Sequence, residues 1–363
     1  MTTCPLLFLP LLFLFIIPSF SSVTKLNVLS YGAKPDGSAD STKAFLAAWT
    51  QACASTSPAS IYVPRGMFLL RNVKFQGQCK NRAISIRLDG TLVAPADYRA
   101  IGNADSWVLF QDVDGVSILG GKLDARGTAL WACKNSGKSC PSGATSLSFS
   151  KSKNIVVAGL SSENSQMFHI VINGCQNVKM QGVTVTASGD SPNTDGIHVQ
   201  LSSGVILNSK IQTGDDCVSI GPGATNLWME QITCGPGHGI SIGSLGKDQN
   251  EAGVQNVTVK RPHSSELRMN VQNPILIDQN YCPGNNNCPD QVSGIKVSDV
   301  TYRDIHGTSA TQVAVNFDCS SKHPCSGIRL EGVSLTYKNE LAAASCKHAG
   351  GTSFGVVQPT SCL

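Results

Sequence analysis

Three aspartates and a histidine lie in short motifs that could do acid–base chemistry: Asp195 in NTDG (193–196), Asp215 and Asp216 in GDDC (214–217), and His238 in GHG (237–239). Taken singly, each motif has an ordinary reading. An NTDG is more often a turn, a pair of aspartates is usually solvated or binds calcium, and GHG can be only a tight loop. Their spacing changes the weighing. Asp195, Asp216 and His238 each stand two places before an apolar residue that opens a short alternating segment: Ile197 in GIHVQ, Val218 in CVSIGPG and Ile240 in GISIGSLG. An earlier copy, HIVINGC at His169, has Phe168 in that place. Neighbouring strands lie about 4.8 Å apart, so segments stacked in register would line up two carboxylates and an imidazole, with Asp215 as a third carboxylate beside them. Acids this close should couple, and at least one should hold its proton to higher pH than a lone aspartate. An acid for a leaving oxygen and a base for an attacking water are what glycoside hydrolysis requires.

Such a column exists only if the segments are stacked strands. The lead residues Ile170, Ile197, Val218 and Ile240 are 27, 21 and 22 residues apart, too close for a strand, a helix and a return, but enough for one coil of a solenoid. A second pattern runs in step: Asn or Gly, apolar, any, apolar, two of any kind, apolar, any, apolar. NVKMQGVTV at Asn177, NLWMEQITC at Asn226, GIKVSDVTY at Gly294 and GIRLEGVSL at Gly327 fit it, with a partial copy, NIVVAGL, at Asn154. Alternation of period two marks strands, not helices. GVILNSKI at Gly204 is one residue short and predicts a bulge or a local shift. The expected fold is all-β, a right-handed parallel β-helix (solenoid) with a short N-terminal capping helix. That helix is predicted over residues 40–53, with Asp40 and Ser41 as N-cap candidates and Phe45, Leu46 and Trp49 on one face.

Composition agrees with a secreted domain. Among 363 residues, 41% are hydrophobic and 14% charged, and nothing suggests disorder or a coiled coil. Residues 5–17 form an uncharged apolar run too short to span a bilayer, followed by small residues at Ser19 and Ser21. We read residues 1–21 as a cleaved signal peptide and 22–363 as a single domain. Without Cys4, 13 cysteines remain, and their proximity in sequence suggests the pairs Cys53–Cys79, Cys133–Cys140, Cys217–Cys234, Cys282–Cys288, Cys319–Cys325 and Cys346–Cys362, with Cys175 free. No CxxC pair or His/Cys cluster has zinc spacing, so a metal site is not expected. The net charge of +4 comes from scattered Lys and Arg, which argues against a nucleic-acid partner.

NTDG, GDDC and GHG, in that order, resemble the polygalacturonases of glycoside hydrolase family 28. The similarity runs from YGAKPDG at Tyr31 to the C-terminal cysteines, and IDQNYC at Ile277 and GTSAT at Gly307 look like plant members, GTSAT like the pollen-type exopolygalacturonases. The resemblance implies inverting hydrolysis of α-1,4 links between galacturonates, without metal or cofactor, by a monomer secreted to the cell wall or apoplast. Its partner would be pectic polysaccharide, with no membrane attachment in the mature form. Matched motif by motif, Asp216 is implied as the general acid, Asp195 and Asp215 as activators of water, and His238 as the group that tunes and orients them. Asn193, Gly237, Gly239 and Tyr281 are implied at the substrate. Inverting geometry would hold acid and base roughly 6.5–9.5 Å apart.

One part of the family pattern has no counterpart. After GHGISIG the pattern requires a coil carrying Arg-Ile-Lys, whose cations bind substrate carboxylates, and this sequence has no such motif. NVTVK (256–260) reads as the first half of one coil and ELRM (266–269) as the second half of the next. We read about one coil as deleted near 256–269. If the flanking coils restack, PILID (274–278) would lie on GISIG and bring Asp278 to about where the family has its lysine. Lys260, Arg261 and Arg268 are poor substitutes for the lost cations by position. Two other classes of function stay open on the sequence: a silent β-helix that binds pectin without cutting it, and a pectate lyase, which would need calcium.

Overall fold

The computed structural model describes residues 23–245, 251–260, 269–279 and 295–363. Cys282, Cys288, Tyr281, Arg261, Arg268, Gly294 and the segment read as a signal peptide lie outside them. Within them the chain winds as a parallel β-helix. One sheet stacks ten strands in parallel, from Val73–Gln76 through Ile170–Asn173, Ile197–Gln200, Val218–Ile220, Ile240–Ile242 and Ile275–Asp278 to Ala343–Lys347. The remaining strands form two further ladders around the same coils, again parallel except for the short Glu340–Leu341 return on Thr336–Tyr337.

The register is the one the repeats predict: Ile170 pairs with Ile197, Ile197 with Val218, Val218 with Ile240, and Ile240 with Ile275. Period two sends these leads inward, where all five are buried. Burial of each such side chain contributes about 1.5–3 kcal/mol, and every coil repeats it, so the solenoid is held together coil by coil. Aromatic rings stack the same way near the N-terminal end, where Phe75, Phe110 and Phe149 follow one another at 4.8 and 5.3 Å between centroids.

The helix forms over Thr42–Ala54 and closes that end of the core. Phe45 and Trp49 are buried, and Trp49 packs on Phe75 and Phe110, while Leu46 is only half-buried at the margin. Ser41 takes the N-cap position, but its hydroxyl accepts from the Lys34 N–H, and the capping contact to Thr42 N comes from Asp40 at 2.9 Å.

The turn residue of the second repeat has a physical cause. Asn154, Asn177, Asn226 and Asn256 all have φ between 52° and 56°, a left-handed bend that asparagine tolerates better than most residues. Their amides stack: Asn177 Nδ2 donates to Asn154 Oδ1 at 2.7 Å and Asn256 Nδ2 to Asn226 Oδ1 at 2.6 Å. Two expectations need correction here. Gly204 causes no shift, because it pairs squarely with Val178 and Leu227; it simply takes an inward apolar place without a side chain. The copy begun at Gly294 is misplaced by five residues, since Val300 pairs with Val257 and puts Asp299, at φ 57°, in the asparagine position. Aspartate tolerates that bend as well, and a pattern limited to Asn or Gly could not see it.

The disulfides Cys53–Cys79, Cys133–Cys140, Cys217–Cys234, Cys319–Cys325 and Cys346–Cys362 are formed, and Cys175 is free and buried.

Candidate active site

The four acid–base residues sit where successive coils enter the ten-stranded sheet. Backbone bonds tie these entries together: His169 N donates to Asp195 O, Gly196 N to Asp216 O, His238 N to Asp215 O, and Asn273 N to His238 O, all between 2.8 and 3.0 Å. The column therefore runs Phe168, Asp195, Asp216, His238, Asn273 over five coils. Sequence reasoning reached the first four and missed Asn273, because the 35-residue step to Ile275 hid the last coil.

Close packing of backbone in this corner leaves no room for side chains at the glycines of GHG. A Cβ on Gly239, at φ +113°, would lie 2.1 Å from Asn273 O, and one on Gly237 would lie 2.7 Å from Asp215 O. These glycines set the approach of the coils. Beneath the acids, the Cys217–Cys234 bridge joins the GDDC corner to the following coil.

Side chains complete the site. His238 Nδ1 meets Asp215 Oδ1 at 3.0 Å, and the Asp216 N–H donates to the same oxygen at 2.8 Å. Ser241 Oγ donates to Asp216 Oδ1 at 2.6 Å, and Ser219 Oγ lies 2.8 Å from His198 Nδ1. Asn193 is exposed at the rim with φ 54°. Ser219 and Ser241 carry no signal in the sequence, since a serine at an outward strand position is ordinary. Among the described residues, Asp215, Asp216 and His238 also have donor atoms within 4.8 Å of one another and could hold a metal ion, although Asp215 Oδ1 and His238 Nδ1 already engage each other.

Burial dominates the electrostatics. Asp195 is 6% exposed, and its carboxyl is pushed well above the usual range by burial, then by the charges of Asp216 and Asp215. Burial also lifts Asp216 to about 7, partly opposed by the Ser241 hydrogen bond. His238 is raised, first by its bond to Asp215. The cluster thus keeps a proton well into the neutral range. An acid whose pKa is higher in the folded than in the unfolded chain favours folding when protonated. For Asp216 this stability is fully present below about 3.8 and is lost as pH rises toward about 7. We expect the melting temperature to fall between those limits and Asp216→Asn to flatten the fall, as a series of thermal melts across pH would show.

Among the described residues, the strands after GHG continue the ladders. Ile240–Ile242 pairs with Ile275–Ile277, Val254–Lys260 lies between Thr225–Glu230 and Val297–Arg303, and Cys234 pairs with Met269. PILID therefore lies on GISIG as expected. Asp278, however, is level with Gly243 and not with His238, five residues and about 16 Å further along the strand, so it does not face the imidazole. Lys260 lies over the Trp228 ring at 5.7 Å on a different sheet, away from the column.

The sequence model of the glycosyl hydrolases family 28 matches residues 53–267 and 264–354. The chain belongs to this family. Within family 28 it is 64% identical to a polygalacturonase of Prunus persica over 384 aligned residues, covering 98% of each chain, and 41% identical to an exopolygalacturonase of Platanus acerifolia, covering 93% of this chain and 98% of that one. Solved structures share the fold: an endo-xylogalacturonan hydrolase of Aspergillus tubingensis (TM-score 0.66, 21% identity, 93% and 100% covered) and an exopolygalacturonase of Thermotoga maritima (TM-score 0.63, 18% identity, 92% and 91% covered). The two segments matched by the family model overlap at 264–267, inside the junction, and the alignment to the Prunus persica relative is longer than the 363 residues of this chain.

Proposed function

We propose that the chain is a polygalacturonase that hydrolyses α-1,4-galacturonosyl links of pectic polysaccharide with inversion, weakened by the absence of one coil. The observation that carries this reading is the register of Asp195, Asp216 and His238 on three successive coils of a family 28 chain. Asp216, lifted by burial to about 7, is the general acid for the leaving oxygen. Asp195 and Asp215 activate the water, and His238 orients Asp215 through its 3.0 Å bond. Asn193, beside Asp195 at the rim, and Tyr281, which lies outside the described residues, contact the sugar. The break of the family match at 264–267 supports a deletion at the junction, and with it the loss of the Arg-Ile-Lys cations. The five described disulfides suit a protein secreted to the cell wall, which we take to act as a monomer.

Product chemistry tests the reaction class. Digestion of polygalacturonate should give saturated oligogalacturonates, at a rate that a chelator does not change. Unsaturated products formed only with calcium would turn the reading to a lyase, and pectin binding with no product would turn it to a silent binder.

A further inference from the structure

The acids stand where strands enter the ten-stranded sheet; at the opposite edge, where strands leave it, the turns of earlier coils form a groove of about 520 Å³. It is lined by the turns after Ser106–Gln111, Thr145–Ser150 and Ile170–Asn173 and by residues 78–82, which the Cys53–Cys79 bridge ties down. Three cations line it, Arg82, Lys151 and Lys153, against two carboxylates, Asp112 and Asp114. Both carboxylates are engaged. Asp114 accepts from Asn154 Nδ2 at 2.7 Å and pairs with Arg82 at 3.1 Å and Lys153 at 3.7 Å, while Asp112 accepts from Gln76 Nε2 at 2.9 Å. Lys151 is exposed and makes no ion pair among the described residues. Beside the groove, on the outer face of the sheet, runs a row of neutral hydrogen-bonding side chains: Gln76, Gln111, Ser150, Asn173 and Gln200, one per coil and paired in that order. The last of them belongs to the strand that Asp195 leads into.

We propose that this groove is a second binding site for an acidic polysaccharide, remote from the acids, with Lys151 and Arg82 taking uronate carboxylates and the row of amides taking hydroxyls. The choice of ligand rests on the reading of the chain as a polygalacturonase. A sugar acid needs both kinds of partner, cations for its carboxylate and acceptors for its hydroxyls, and the groove offers both, since Asp112 and Asp114 keep lone pairs beyond those already engaged. Coils are about 4.8 Å apart, close to the advance of one sugar in a chain, so a polymer lying along the row meets one polar side chain per residue. Nucleic acid fits poorly, because among the described residues no aromatic side chain lines the groove for a base to stack on. Lys151 stands six positions along the strand and two coils away from Asp195, roughly 20 Å by 10 Å. Contacts there hold the polymer and do not touch the bond being cut. A chain long enough to occupy both places gains affinity from each, and a short fragment does not.

The test compares a polymer with a fragment too short to reach both places. Dissociation constants for polygalacturonate are measured by calorimetry in the full chain carrying Asp216→Asn, so that the polymer is not consumed, with and without Lys151→Gln, Lys151→Glu and Arg82→Gln. Each neutral substitution should weaken polymer binding by about three- to tenfold, and Lys151→Glu by more, with the differences shrinking as salt is raised. With Asp216 in place, the same groove variants should turn over trigalacturonate at the parent's rate. Arg82→Gln leaves Asp114 with Lys153 and Asn154, and the two Lys151 variants change only an exposed turn, so these decide the matter should the arginine variant not fold. Polymer affinity unchanged in folded Lys151→Glu would overturn the proposal. Dextran sulfate bound as tightly as polygalacturonate, with the same loss in the variants, would overturn it as well and make the groove a general patch for anions. Absence of product from the parent chain would count against the polygalacturonase reading, while the binding comparison still decided the role of the groove.

Discussion

Asp216→Asn slows polygalacturonate hydrolysis by roughly a hundred- to ten-thousandfold, the range that general acid catalysis supplies. The amide keeps the shape of the side chain and can still receive the Ser241 hydrogen bond, so the corner held by the Cys217–Cys234 bridge stays folded. What it cannot do is release a proton to a leaving oxygen. The parent enzyme should also lose activity as pH rises past about 7, where Asp216 ionises, and the residual rate of Asp216→Asn should lack that limb. Initial rates across pH for the two proteins, with thermal melts beside them, check both statements. A variant that kept the parent's pH limb would place the acid elsewhere.

Inserting the coil that we propose is absent should have an effect of comparable size in the other direction. A chimera in which the segment of the Prunus persica relative aligned with the junction replaces the residues between Lys260 and Met269 should, if that segment brings the coil and its cations, raise kcat/KM by about a hundred- to ten-thousandfold. Two cation–carboxylate contacts contribute roughly 1.5–3 kcal/mol each, and each 1.4 kcal/mol realised in the transition state is tenfold in rate. The fold should accept the insertion, because coils touch only their neighbours and the ladders on either side of the junction are already continuous. Rates with polygalacturonate and with a neutral polysaccharide distinguish recovered carboxylate binding from a general gain. An unchanged kcat/KM in a folded chimera would mean that the present chain already binds the substrate carboxylates by other groups.

Much of the site was legible because a solenoid converts sequence spacing into distance. Once Ile197, Val218 and Ile240 are read as stacked leads, Asp195, Asp216 and His238 must share a column, and the structure puts them there. What escaped is what spacing does not encode. Ser219, Ser241 and His198 alternate outward as any polar strand residue would, and only the folded geometry shows that Ser241 reaches Asp216 and that Ser219 meets His198. The slip at Gly294 arose because Asp299 makes the same bend as asparagine. Counting coils without counting positions along the strand puts Asp278 where the family has its lysine, whereas it stands level with Gly243.

The central claim is that this column cuts pectin in this chain. Release of reducing ends from polygalacturonate by the purified chain, measured beside Asp216→Asn from the same preparation, tests it most directly. We expect slow release by the parent, clearly above that of the variant. Equal release by the two, from folded proteins that both bind pectin, would contradict the claim and make the chain a binder of pectin.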